Sequence, residues 1–206
     1  MPKVRLYQKR EPFRSATLFV IICEGGKREP DYFEFFNGIS SRIKVKPIPS
    51  EDGKSAPNHL LNKAEEESTR NDFGVSDEIW FVIDTDRWRD HIHHLRDACA
   101  KKNNWSVAQS NPCFEVWLYF HFEKLLPTDI DFNQGAFWKS IIPKIVSGGF
   151  NSAVHPLKIE MAIKNAEAVY RETGYIPEIG STQVFQLGKK IFPLIQKNLQ
   201  IIIERL

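Results

Sequence analysis

The sequence predicts an α/β protein, a parallel sheet flanked by helices, with a helical C-terminal appendage. Three observations predict it. Leu18 to Cys23 (LFVIIC) and Ile79 to Ile83 (IWFVI) are uninterrupted apolar runs, the pattern of strands buried on both faces of a parallel sheet. Between residues 18 and 122, strand-like and helix-like segments alternate, as βαβ units require. Beyond Pro127 the strand patterns stop and three helical stretches follow. The expected division is a basic N-terminal arm (1–15), an α/β core (16–126) and a helical extension packed on it (127–206).

Residues 1 to 15 carry Lys3, Arg5, Lys9, Arg10 and Arg14 against Glu11. Two readings stand side by side: a solvated tail, or an arm held near nucleic-acid phosphates. The first apolar run ends in Glu24-Gly25-Gly26. Pro30 can occupy the first turn of a helix whose apolar side is Tyr32, Phe33, Phe35 and Phe36, ending near Gly38. Ile43 to Ile48 alternates like a half-buried strand, and Pro47 suggests an edge. After a polar loop, a helix is expected from Pro57 to Asn71, with Leu60, Leu61 and Ala64 inward and Glu65 to Glu67 solvated.

The second apolar run leads into Asp84-Thr85-Asp86. A helix over Asp90 to Lys101 and a short strand over Trp105 to Gln109 come next. Asn111, held extended before Pro112, is placed to cap a helix reaching about Phe122. The last three helices read as Asn133 to Ile145, Pro156 to Glu172 and Ser181 to Leu206, with Gly148-Gly149 and Gly174 between them. Pro193 is expected to kink or split the final one.

With 206 residues, 42% hydrophobic and 26% charged, the chain can bury one sizeable core. Its 28 Lys and Arg against 26 Asp and Glu are too balanced to argue for nucleic-acid binding by overall charge, so local patches must carry that argument. Cys23, Cys99 and Cys113 form no C-x-x-C pair, which suits a reducing compartment and gives no zinc signature. No apolar run approaches the ~18 residues of a membrane span, and the N-terminus lacks a signal-like apolar core. The expectation is a soluble, cytoplasmic protein with no membrane partner.

Asp84 and Asp86 are two residues apart at a strand end, so their side chains share one side of the sheet. Such carboxylates repel unless a cation joins them, and Mg²⁺ is the natural choice. The plainer alternative is a common loop sequence with capping duties. Glu24 follows a different buried strand, so both motifs should meet at one sheet edge, where open α/β sheets bind ligands. Alternatively it is a surface acid partnered by Lys27. Gly25 and Gly26 fit a tight turn that admits a phosphate, but no Lys-Ser/Thr pair follows, which excludes a nucleotide-binding P-loop.

Glu115 lies on a helix apolar nearly all round, where a charge needs a partner, although a helix N-terminus also favours an acid. Lys27, Arg28, Arg87 and Arg89 follow the acids and are candidates for nucleic-acid phosphates, or simply balance the carboxylates. Trp88 is read as core packing rather than base stacking. His91, His93 and His94 read as a solvated helix face, and His121 as a structural histidine.

Together CEGGKREPDYF, a buried strand ending in DTD, and SNPCFEVWLYFHF resemble the RloB family of Toprim-like proteins. The likeness covers about residues 14 to 124 and is weaker in AIKNAEA and STQVFQLGKK. The SNP-x-FE-x-WL-x-x-HF string is its specific part. The resemblance implies a Toprim-like core and dependence on Mg²⁺, with Mn²⁺ as an alternative. It also implies a part in bacterial defence against phage (abortive infection), beside an AAA-type, RloA-like ATPase encoded nearby.

Carried over by resemblance, Glu24 is a general acid/base or metal ligand, Asp84 and Asp86 the metal-binding pair, Glu29 a second acid and Glu115 the acid of a third motif. Lys144 is the candidate for a C-terminal catalytic lysine. Gly26 stands where the family usually has Glu, and Arg28 where it usually has Thr; both departures fall on the second metal position.

The leading expectation is a Mg²⁺-dependent nuclease hydrolysing phosphodiesters of DNA or RNA. Topoisomerases and primases share Toprim domains, but 206 residues are expected to leave no room for their added domains. A haloacid-dehalogenase phosphatase would place D-x-D after its first strand, with Thr where Trp88 stands. A sugar-nucleotide transferase would leave Glu24 and Glu115 unexplained. The serious alternative is a regulatory or nucleic-acid-binding subunit of a defence complex, with a weak or silent site. A homo-oligomer is compatible with either, and the C-terminal helices are a candidate docking surface for the ATPase.

Overall fold

A computed structural model describes residues 16–51, 56–85, 92–128 and 130–205. The two apolar runs form β1 (Thr17–Cys23) and β3 (Glu78–Asp84), paired in parallel with Ile21 opposite Trp80. β2 (Ile43–Ile48) flanks β1 and β4 (Trp105–Ser110) flanks β3, giving a four-stranded parallel sheet in the order β2-β1-β3-β4. The connecting helices are α1 (Arg28–Glu34), α2 (Pro57–Arg70) and α3 (Ile92–Ala100). Then come α4 (Glu115–Tyr119), α5 (Gly135–Ile145), α6 (Ile159–Val169), a hairpin of β5 (Glu172–Thr173) and β6 (Ile176–Pro177), and α7 (Val184–Ile203).

The pleat divides the core in two. Leu18, Val20 and Ile22, with Ile79, Phe81 and Ile83, pack under α2 and α3. Phe19, Ile21 and Cys23, with Trp80 and Val82, pack against Tyr32, Phe33 and Phe36 and against residues of the C-terminal helices, among them Trp138, Ile163, Leu187 and Ile191. The helices beyond residue 127 thus complete the layer that α1 begins. Chain order reverses between β1 and β3: α1 leads to β2 over one face, and α3 leads to β4 over the other. A ligand crevice forms at the carboxyl ends of strands that flank such a reversal.

α1 begins at Arg28 with Pro30 in its first turn, as expected, where a missing N–H costs nothing. Other elements differ from expectation. α4 ends at Tyr119 because its continuation tightens: the His121 N–H bonds Leu118 O at 3.3 Å and the Phe122 N–H bonds Tyr119 O at 3.0 Å, both three residues back. Asn111 does not cap that helix, from which Pro112 to Phe114 separate it; its amide donates to Pro177 O at 2.8 Å. The hairpin β5–β6, turning at Gly174 (φ +66°), ends the preceding helix early. Pro193 does not split α7, which runs unbroken from Val184 to Ile203. The proline is exposed, while buried Ile191, Ile195 and Leu199 hold both halves on the core.

His121 is a satisfied core residue. Its Nδ1–H donates to Trp117 O at 3.1 Å, so Nε2 accepts the Tyr32 hydroxyl, also at 3.1 Å. Burial pushes its pKa down to about 3. The unfolded chain therefore binds the extra proton as pH falls below the ordinary histidine range, and stability falls with it. Urea unfolding at pH 7 and pH 5 should show wild type losing about 2 kcal/mol more than His121→Gln. Equal losses would contradict the neutral, buried assignment.

Candidate active site

Pairing continues one residue past β1: the Glu24 N–H donates to Val82 O at 3.0 Å. The side chain of Glu24, 5% exposed, turns across the strands so that Oε2 accepts the Asp84 N–H at 2.8 Å. A carboxylate thus stitches together the two strand ends that flank the reversal in chain order. Ser50, just after β2, donates its hydroxyl to Glu24 O and its N–H to Gly25 O at 3.4 Å, tying the Gly-rich turn to a third strand. Asp84 shares the parity of Trp80 and Val82, which places it on the α1 and α4 side of the sheet.

Gly25 serves close approach. A Cβ there would come within 2.0 Å of Glu29 Oε2, so the Glu29 carboxylate lies directly against the turn. Glu29 is the second residue of α1, and Glu115, the first of α4, faces the same space; both are buried. Arg28 Nε stands 3.5 Å from Glu115 Oε1. α5 adds Lys139, and the walls enclose a cleft of about 310 Å³ lined by Glu24, Glu29, Asp84, Glu115, Lys27, Arg28 and Lys139, with Phe114 and the glycines.

The acids act on one another. Burial is the main cause that raises the Glu29 pKa, and the charge of Glu115 raises it further; its own backbone N–H, Arg28 and Lys139 pull it back. Burial also raises the Cys113 thiol, with the charges of Glu115 and Asp84 adding to it. That thiol is a buried small hydrophobe, not a nucleophile.

Every donor in the cleft's acid set is oxygen, which suits a hard divalent cation such as Mg²⁺ and not zinc. Among the described residues no three His, Cys, Asp or Glu side chains gather around one point. Mg²⁺ needs fewer: one or two carboxylates suffice when water and phosphate oxygens fill the rest of its shell. Glu24 and Asp84, joined at the sheet edge, fit that requirement.

Of the predicted residues, Glu24, Glu29, Asp84, Glu115, Lys27 and Arg28 come together in one cleft. Asp86, Arg87, Trp88, Arg89 and His91 lie outside the described residues, as does the arm of residues 1–15. His93 and His94 are exposed, His93 bonding the Tyr175 hydroxyl. Lys144 is exposed and does not line the cleft; Lys139 does. Five residues separate them, about 140° around the helix. The apolar stripe of Trp138 and Ile142 gives the phase that puts Lys139 beside the buried face, but the sequence does not say which neighbour that face meets.

A family model for RloB-like proteins matches residues 19–191, and the chain belongs to that family. No curated protein and no solved structure matches it. No helix among the described residues is long and apolar enough to cross a membrane.

The coupling of Glu29 to its neighbours is measurable by carboxyl-carbon NMR titration. Glu29 should titrate above ordinary glutamates. Glu115→Gln should lower its pKa by removing a like charge, and Lys139→Met should raise it by removing a cation. No response to either substitution would separate these side chains in solution.

Proposed function

From membership of the RloB-like family and the acid cleft at the strand ends, we propose that this protein is a divalent-metal-dependent nuclease of Toprim type. The observation that carries the reading is the Glu24 carboxylate bonded to the Asp84 N–H across the reversal in strand order. By the same resemblance the nuclease acts in phage defence, with an AAA-type ATPase as partner.

Glu24 and Asp84 would hold Mg²⁺, or Mn²⁺ in its place, with Asp86 completing the pair that the motif implies. A cation there supplies Lewis-acid stabilisation of negative charge on the phosphoryl oxygens. Lys139, Lys27 and Arg28, all lining the cleft, attract and orient the phosphodiester. In hydrolysis a water oxygen forms a bond to phosphorus, and the bond to the leaving oxygen breaks. The water gives up a proton to a carboxylate of the cleft, the general-base role that the resemblance offers Glu24 as the alternative to binding the cation. The leaving oxygen takes a proton, and Glu29, whose raised pKa lets it hold one at higher pH than an ordinary glutamate, is the matching donor.

One observation favours the second reading, a nucleic-acid-binding or regulatory subunit. Arg28 is itself paired with Glu115, so that acid has a cation without any metal. The two readings separate in a cleavage assay on plasmid, single-stranded DNA and tRNA, with the ATPase present. Glu24→Gln and Asp84→Asn should each lower metal-dependent cleavage by about 100-fold or more. Lys139→Met should cost about 100-fold, while Lys144→Met should cut like wild type. Mutants as active as wild type would remove the site assignment. Absence of any cleavage, with binding to the same substrates retained, would select the second reading.

A further inference from the structure

The segment Ser181-Thr182-Gln183 lies outside the cleft, yet the structure connects it to the acidic motif. It runs antiparallel beside the end of β4, with Thr182 bridging Ser110. The Gln183 N–H donates to Gln109 O at 2.7 Å, and the Asn111 N–H to Ser181 O at 2.9 Å. The side chain of Gln183, 4% exposed, is saturated. Its Oε1 accepts Arg96 Nη2 at 2.7 Å and the Gln109 N–H at 3.3 Å; its Nε2 donates to the Tyr170 hydroxyl at 2.9 Å and to Tyr175 O at 3.3 Å.

Arg96 passes the connection on. It gives Gln109 Oε1 a second bond at 2.8 Å, and Gln109 Nε2 donates to Thr85 Oγ1 at 2.7 Å. Thr85 then donates its hydroxyl to Ser110 O at 2.8 Å, while its N–H reaches Ser110 O at 2.9 Å and Pro112 O at 3.0 Å. Thr85 is the middle residue of Asp-Thr-Asp and follows Asp84, whose N–H holds Glu24. The chain of bonds Gln183–Arg96–Gln109–Thr85 therefore ends on the backbone that places both candidate ligands. Its partners come from α3, β4 and the C-terminal extension, none of which lines the cleft at these residues.

We propose that Gln183 is a positioning residue: through Arg96, Gln109 and Thr85 it fixes the backbone at Asp84 and Thr85 and so sets the affinity of the acid edge for a divalent cation. This rests on the metal-dependent reading above. Groups that orient metal ligands without touching the ion commonly set affinity by one or two orders of magnitude. Gln183→Met keeps the volume and removes every polar bond; Gln183→Glu keeps two accepting oxygens for Arg96 and the Gln109 N–H.

Two measurements on the full chain test it: Mn²⁺ binding by electron paramagnetic resonance titration, and amide hydrogen exchange of the peptide containing Asp84 and Thr85. Gln183→Met should weaken Mn²⁺ binding about tenfold or more and speed exchange at residues 84–85 while the rest of the sheet stays protected. Gln183→Glu should restore wild-type affinity. Wild-type affinity and exchange in Gln183→Met would overturn the proposal. So would exchange that rises evenly through the sheet, because the residue would then contribute stability alone. A wild-type chain that binds no Mn²⁺ would remove the metal reading and this inference with it, an outcome distinct from normal binding that Gln183→Met leaves unchanged.

Discussion

Burial of β1 and β3 on both faces is the constraint from which the rest follows. From Leu18 to Cys23 and from Ile79 to Ile83 every side chain is buried, so neither strand can carry an uncompensated charge along its length. Polar chemistry is displaced to the first residue beyond each apolar run. Because the strands are parallel and in register, those residues, Glu24 and Asp84, arrive at the same edge. The reversal of chain order between β1 and β3 then sends α1 and α3 to opposite faces and leaves the edge open between them. Segments far apart in sequence supply the walls: α4 brings Glu115, and α5 brings Lys139.

Much of this was legible because the signals were local. The apolar runs of β1 and β3 identify themselves, and the acids that end them follow from the same pattern. Glu29 was found only through the family resemblance. Pro30 marks the first turn of the helix, and nothing in residue spacing says that the glutamate one position earlier will fold back against Gly25. Where neighbours in space decide, the sequence was silent or misleading. Asn111 has the chemistry of a cap, but Pro112 to Phe114 stand between it and α4, and its side-chain nitrogen is turned to Pro177 O. Pro193 has the chemistry of a helix breaker, but the buried residues on either side outweigh the loss of one backbone bond on an exposed face. Lys144 and Lys139 are equally plausible as sequence; only the packing of α5 distinguishes them.

The molecule carries two polar assemblies of different kinds. The cleft mixes acids with cations, and the ion pair of Arg28 with Glu115 is long, with its arginine side chain half exposed. Such a pair contributes little to stability and can exchange partners at small cost when a phosphate enters. The assembly around Arg96 is the opposite. Its glutamines are buried, its bonds are short, and burial lowers the arginine's pKa.

The choice of partners for Arg96 points to orientation rather than neutralisation. A buried arginine is most simply compensated by a carboxylate, and among the described residues the two oxygens that accept from it belong to glutamines. A carboxylate in place of Gln109 would end the chain of bonds before Thr85, because an ionised acid accepts and cannot donate. Each glutamine accepts from Arg96 with its oxygen and donates onward with its nitrogen, Gln109 to Thr85 and Gln183 to Tyr170. Donation thereby runs outward from Arg96 both ways, through Gln109 to the residue after Asp84 and through Gln183 to the hairpin side of the molecule. Amides cost more as partners for a cation, and what they add is a fixed orientation at the point where the candidate ligands leave the sheet.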